Sequence, residues 1–197
     1  METSDVYQIY EIFQHLKYRD IINFYQCNSY FNGLKRYPLF QKLLIEKRIE
    51  YYTDNFPRVI KNRFATIPDD TPATPEYVFI YACYRGDLEV VREMLKQGVD
   101  PTANKNKAIG YASFAGNTEI VKLLLSDIRV NPIDNCNYAL EIAVQTGKIE
   151  VVDLLLGDIR VRTKLYTDGP GYVFENLKYL QFDRNKYPNI KQVFFAS

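Results

Sequence analysis

The sequence predicts an all-α protein in which a short helical module is followed by a helical solenoid, an array of stacked helical units. The main observation is a repeat in the second part of the chain. Equivalent alanines, Ala82, Ala112 and Ala143, follow one another at spacings of 30 and 31 residues. Each copy contains two stretches of apolar residues at helical spacing. Because neither helix of such a pair can bury its apolar side alone, the units are expected to stack.

A glycine separates the two helical stretches of each copy, at Gly86, Gly116 and Gly147. A helix that ends directly before another helix commonly needs one residue with positive φ, and glycine adopts this conformation without strain. The pattern therefore predicts that each glycine ends the first helix of its unit. The alanines lie where a small side chain lets neighbouring helices approach closely.

The stretch GNTEIVKLLLSDIRVNP, residues 116–132, resembles the second half of an ankyrin repeat. The resemblance implies an Ala-rich inner helix, an outer helix and an extended loop in every unit. Ankyrin repeats of about 33 residues begin with Gly-x-Thr-Pro-Leu-His, and these copies lack that opening and about two or three loop residues. We therefore expect shortened hairpin loops, in a form similar to the ankyrin repeats that are abundant in large DNA viruses and amoebal genomes.

Three segments follow from these patterns. Residues 1–50 form a three-helix module, residues 51–75 form a proline-rich linker with room for a short helix, and residues 76–195 form the ankyrin-type solenoid. The solenoid contains about three repeats and a degenerate C-terminal cap. The cap is predicted in residues 171–195, where PNIKQVFF repeats the outer-helix pattern and Pro188 suits the first turn of a helix.

The N-terminal stretch EIFQHLKYRDII, residues 11–22, resembles an F-box. That resemblance implies a module that binds the adaptor subunit of cullin-RING ubiquitin ligases. The family's Leu-Pro pair would fall on Ser4 and Asp5, which look more like a helix N-cap. The adaptor surface that the resemblance implies comprises Ile9, Ile12, Phe13, Leu16 and Ile21. The alternative is a helical cap of the solenoid with no role in ubiquitin ligation.

The ankyrin resemblance also implies a concave face that binds a protein partner. In that geometry the two residues before each glycine point to the concave side. Aromatic and arginine side chains supply most of the binding energy at protein interfaces. The predicted target-binding residues are therefore Tyr84, Arg85, Phe114, Ala115, Gln145 and Thr146. The competing interpretation is that Phe114 only packs against the next unit.

Composition and spacing give no support to other classes of function. The 25 basic and 24 acidic residues argue against nucleic-acid binding, and no apolar run is long enough for a membrane helix. His15 is the only histidine, and the three cysteines are far apart, so we expect no metal site, no cofactor and no catalytic residues. We expect a cytoplasmic protein, in the host cytoplasm or nucleus if the chain is viral. Two interpretations remain: an adaptor for ubiquitin ligation, or a scaffold that sequesters its target.

Overall fold

The computed structural model describes residues 3–27, 33–60, 74–167 and 186–195. All regular elements within these ranges are helices, which confirms the all-α class for the described part of the chain. The chain divides into two compact units, Met1–Thr74 and Pro75–Ser197.

The N-terminal unit contains three α-helices and a 3₁₀ helix among its described residues. They are α1 (Thr3–Gln14), α2 (Tyr18–Cys27), the 3₁₀ helix Leu34–Arg36, and α3 (Pro38–Ile60). One apolar cluster joins them, because the buried side chains recur at helical spacing on each helix. Its buried members are Val6, Phe13, Ile21, Tyr25, Leu34, Phe40, Leu43 and Leu44.

This unit differs from the sequence prediction at two places. The third helix continues past residue 50 to Ile60, where a linker is predicted from residue 51. Contacts with α2 explain part of the extension, since the rings of Tyr18 and Tyr51 lie 5.6 Å apart and Arg19 donates a hydrogen bond to Tyr51 Oη at 3.0 Å. In addition, α1 includes Ser4 and Asp5, so these residues lie in its first turn instead of capping it.

The second unit is built from helix pairs at the predicted period. The first helices of the pairs are α4 (Pro75–Arg85), α6 (Ala103–Ala115) and α8 (Asp134–Gln145), and the second helices are α5 (Leu88–Lys96), α7 (Thr118–Ser126) and α9 (Ile149–Gly157). Each first helix packs against the next first helix, and the second helices pack likewise, so the unit has two layers. Ala82, Ala112 and Ala143 are completely buried, as close helix packing requires.

The glycines that follow the first helices have the predicted left-handed backbone. The φ angles are 79° at Gly86, 81° at Gly116 and 66° at Gly147. In the second pair, Asn117 N donates to Ala112 O at 2.9 Å immediately after the glycine, which satisfies a carbonyl of the last helical turn. The turn between the two layers is therefore predictable from the sequence.

An unexpected left-handed turn opens α6. Asn104, Lys105 and Asn106 have φ angles of 56°, 60° and 54°, so the right-handed helix starts only after them. The amide of Asn106 is buried and holds this turn: its Nδ2 donates to Asp134 Oδ2 at 2.8 Å, and its Oδ1 accepts from Asn131 N at 3.0 Å. Asparagine tolerates the left-handed region better than most residues, whereas lysine does not.

The end of the third pair departs from the family pattern. A further helix, α10 (Ile159–Thr167), replaces the extended loop that is expected after α9. The corresponding stretch of the second pair contains Pro132, which lacks an N–H donor and disfavours helical backbone at the residue before it. The third copy has Thr163 in that place, so its helix can continue.

The last described helix, α11 (Pro188–Phe195), packs on α9. The carboxylate of Asp153 accepts hydrogen bonds from Asn189 N at 2.9 Å and Ile190 N at 3.0 Å, which caps the start of α11. The equivalent positions of the earlier copies are basic, Arg92 and Lys122, so only the third copy can hold a helix in this way. The other part of the predicted cap, residues 171–185, lies outside the described residues.

Candidate functional site

Two aromatic side chains from consecutive helix pairs meet on the first-helix layer. The ring centroids of Tyr84 and Phe114 are 6.2 Å apart, with 28° between the ring planes. Tyr81 continues the row, at 6.5 Å from Tyr84. Both Tyr84 and Phe114 are half-buried. We call Tyr84 and Phe114 the aromatic patch. Phe114 therefore packs against the preceding unit, and the remainder of its ring stays accessible.

The other predicted target-binding residues lie at the same end of this layer. Arg85 and Ala115 are the last residues of α4 and α6, and Gln145 is the last residue of α8. Arg85 and Gln145 are exposed, although Gln145 Nε2 donates to Glu141 Oε1 at 3.2 Å. Thr146 uses its hydroxyl locally, donating to Ile142 O at 2.6 Å. The structure thus brings all six predicted residues to one edge, with Arg85 as its exposed cation.

A polar contact between units positions the aromatic patch. Asn117 Nδ2 donates to Tyr84 O at 2.9 Å and to Cys83 O at 2.8 Å, so the second unit holds the end of α4. The side chain crosses directly over Gly86, where a Cβ atom would lie 2.8 Å from Asn117 Oδ1. Glycine is therefore needed at position 86 for two reasons: it adopts the positive φ, and its lack of a side chain leaves room for Asn117. Sequence reasoning identified the glycine but missed its asparagine partner.

The ring of Tyr138, on α8, also packs closely within this layer. Tyr138 lies over Gly110, where a Cβ atom would be 2.7 Å from Cδ1 of the ring. Burial is the main reason that the pKa of Tyr138 is raised, and the nearby Glu141 adds to it. The sequence prediction missed Tyr138 because it precedes the glycine of its unit by nine positions instead of one or two.

Some of the predicted adaptor-binding residues lie in the interior of the N-terminal unit, and others lie at its surface. Phe13 and Ile21 are buried, with 2% and 0% exposure, so their side chains stabilise the apolar cluster and cannot reach a partner while the unit is folded. Ile9 and Leu16 are partly buried against the same cluster. Of the five predicted residues, only Ile12 is exposed, at 60%.

An unpredicted apolar residue joins the exposed surface of this unit. Phe24 is 43% exposed, and its ring lies 5.8 Å from that of Phe13. The hydroxyl of buried Tyr25 has no hydrogen-bond partner within the described structure, and burial raises its pKa to about 12. Helical periodicity separates inner from outer positions only roughly, because α1 and α2 each carry apolar residues on more than one side.

The repeated Asp-Ile-Arg-Val motifs make structural ion pairs. Arg129 and Arg160 contact Asp127 and Asp158 within their own motifs, each at 2.6 Å. The hydrogen bond from Arg160 is the main reason that the pKa of Asp158 is lowered. Arg160 also donates to Val130 O of the preceding copy at 2.9 Å. Arg160 therefore joins the two copies through a backbone carbonyl, and its ion pair with Asp158 stays within one motif.

Other classes of site are not evident in the described residues. They contain no group of three or more His, Cys, Asp or Glu side chains arranged to hold a metal ion. No helix described here has the length and apolar character needed to cross a membrane. Cys83 is a free, fully buried thiol, and burial raises its pKa, so it behaves as a core residue.

Comparison with known proteins agrees with the two-layer architecture of the second unit. Residues 70–164 match the family model described as ankyrin repeats, in three copies. No curated protein and no solved structure gives a significant match to the chain. The matched range includes the aromatic patch and all six predicted target-binding residues.

Proposed function

We propose, from the three ankyrin repeats in residues 70–164, that this chain is an adaptor that binds a target protein on the concave face of the repeats. Ankyrin repeats are protein–protein interaction modules, and stacked repeats present extended binding surfaces. The aromatic patch with the adjacent exposed Arg85 carries the proposal for this chain. Aromatic rings and arginine are the residue types that contribute most to binding at protein interfaces.

Replacing Tyr84, Arg85 and Phe114 together with alanine is expected to abolish capture of the target. A matched control is the double variant Arg92→Ala with Lys122→Ala, which removes two exposed charges from the second-helix layer. Both variants would be compared with the wild-type chain by quantitative affinity purification. Loss of the stacked ring pair costs the fold only about 0.5–1.5 kcal/mol beyond lost burial, so binding is measured below the melting transition. Equal capture by all three proteins would contradict the proposal.

The N-terminal unit supplies the second half of the proposed function. The resemblance of residues 11–22 to an F-box supports recruitment of the adaptor subunit of cullin-RING ubiquitin ligases. Exposed Ile12 and Phe24 supply apolar surface for such a contact. Absence of the family's leucine removes about 1.5–3 kcal/mol of burial, which weakens binding by about tenfold to over a hundredfold. Binding weaker than that of the family, but measurable, is the expected result.

Calorimetry of the full chain with the ligase adaptor subunit tests this half separately. We expect Ile12→Asp to remove binding without unfolding the chain, because Ile12 is exposed. Ser4→Leu with Asp5→Pro should tighten binding, since proline is tolerated in the first turn of α1. Gln26→Asp, at an exposed position of α2, is the control. If neither the wild type nor the Leu-Pro variant binds, the chain acts as a sequestering module only.

A further inference from the structure

The exposed charges of the first-helix layer all have one sign. Among the described residues of α4, α6 and α8, the exposed charged side chains are those of Arg85 and Lys105. The acidic residues of these helices, Glu76, Asp134 and Glu141, are all partly buried. Asp134 and Glu141 accept hydrogen bonds from Asn106 and Gln145. A ligand that reaches this layer therefore meets exposed charge of one sign, from Arg85 and Lys105.

Exposed acidic residues gather on the other layer. Glu89, Glu119 and Glu150 occupy the same position in α5, α7 and α9, and all three are exposed. Each lies in the first turn of its helix, where a negative charge is favoured by the helix dipole. Arg92, Lys96 and Lys122 are exposed on the same layer, so its exposed charges have both signs, whereas those of the first-helix layer are only positive.

Lys105 is held in an unfavourable backbone conformation. Its φ of 60° lies in the left-handed region, which disfavours any residue with a Cβ atom except asparagine and aspartate. The neighbouring Asn106, anchored to Asn131 and Asp134, fixes this turn. Glycine would adopt the same backbone without strain. An exposed lysine at a strained position is a candidate for function.

The two cations lie at opposite ends of the layer. Arg85 follows Tyr84, whose ring meets Phe114 near the end of α6, whereas Lys105 precedes the right-handed part of α6. That part, residues 107–115, is roughly 13 Å long at 1.5 Å per residue. Arg85 belongs to the neighbouring helix, whose axis lies about 8–10 Å away, so an extended chain needs at least about five residues to span the two cations.

We propose that this surface binds an extended, acidic peptide segment of the target. Two carboxylates at least about five residues apart contact Arg85 and Lys105. An apolar or aromatic side chain between them lies on the aromatic patch, where it can stack. This inference rests on the proposed function and specifies the chemistry of its partner.

Selection of random peptides displayed on phage, using the full chain as bait, tests the chemistry directly. Peptides whose binding requires Phe114 are expected to contain acidic residues on both sides of an apolar one. Phe114-dependent peptides that are neutral or basic would overturn this inference and leave the proposed function standing. A selection without Phe114-dependent peptides would overturn both.

Charge variants test the two cations on a selected peptide labelled with fluorescein. We expect Arg85→Glu to weaken binding by about tenfold or more, and higher salt to weaken wild-type binding. Arg92→Glu, an exposed arginine of the second-helix layer, is the matched control and should change affinity by less than about twofold. Equal effects of the two substitutions would contradict the assignment of Arg85.

The substitution Lys105→Gly distinguishes a loss of binding from a loss of stability. It removes the charge and relieves the left-handed strain, so the melting temperature should rise while the affinity falls. Loss of binding in a more stable protein cannot be explained by unfolding. Unchanged affinity would remove Lys105 from the proposed site.

Discussion

Replacement of Gly86 with valine is expected to lower the free energy of unfolding of the repeat unit by about 3–5 kcal/mol. Gly86 has a φ of 79°, where a β-branched residue is strained by about 1–3 kcal/mol. The added Cβ would also lie 2.8 Å from Asn117 Oδ1. The side chain of Asn117 would have to move and lose its hydrogen bonds to Cys83 O and Tyr84 O, each worth about 1 kcal/mol.

The third copy offers a matched control for this prediction. Gly147 has a φ of 66°, but no atom lies within 4 Å of its added Cβ. Gly147→Val should therefore show the backbone strain without the loss of an inter-unit contact, at about 1–3 kcal/mol. Chemical denaturation followed by circular dichroism measures both losses. If the two variants are equally destabilised, the Asn117 contact contributes nothing to the joint between the first two units.

Replacement of Phe13 with alanine is expected to destabilise the N-terminal unit by about 3–5 kcal/mol. The ring is buried and lies 5.7 Å from the ring of Phe40 and 5.9 Å from that of Tyr25, in edge-to-face geometry. Its removal leaves a cavity that these rings fill only partly. A loss of this size is a large part of the stability of an ordinary domain.

The neighbouring residue is the control, because Ile12 is apolar but exposed. Ile12→Ala should change stability by less than about 0.5 kcal/mol, since it removes little buried surface. Urea titration of the full chain, followed by tyrosine fluorescence, distinguishes the two variants. Comparable destabilisation by Phe13→Ala and Ile12→Ala would mean that the helix is rotated from the orientation described. The same result would also remove Ile12 from the proposed adaptor surface.

Patterns that depend on local geometry could be read from the sequence. The helix pairs follow from apolar spacing, and the positive φ at Gly86, Gly116 and Gly147 follows because few other residues adopt that backbone at a helix end. The buried alanines follow from the close approach of stacked helices. The contact between the rings of Tyr84 and Phe114 follows from the repeat, since equivalent positions of stacked units lie side by side.

Features that depend on a partner distant in sequence required the tertiary structure. The left-handed turn at Lys105 exists because Asn106 bonds to Asn131 at the end of its own unit and to Asp134 of the next unit. The N-terminal cap of α11 comes from Asp153 in α9.

The division of α1 into interior Phe13 and exposed Ile12 was likewise decided by the tertiary structure. Both residues are apolar and adjacent, so local spacing alone assigns either one to the core. The sequence by itself therefore determined the repeat architecture. Which residues form the core, which side chain caps a helix and where the backbone is strained depend on side chains that meet only after folding. Their hydrogen bonds and packing outweigh the local preference of the backbone.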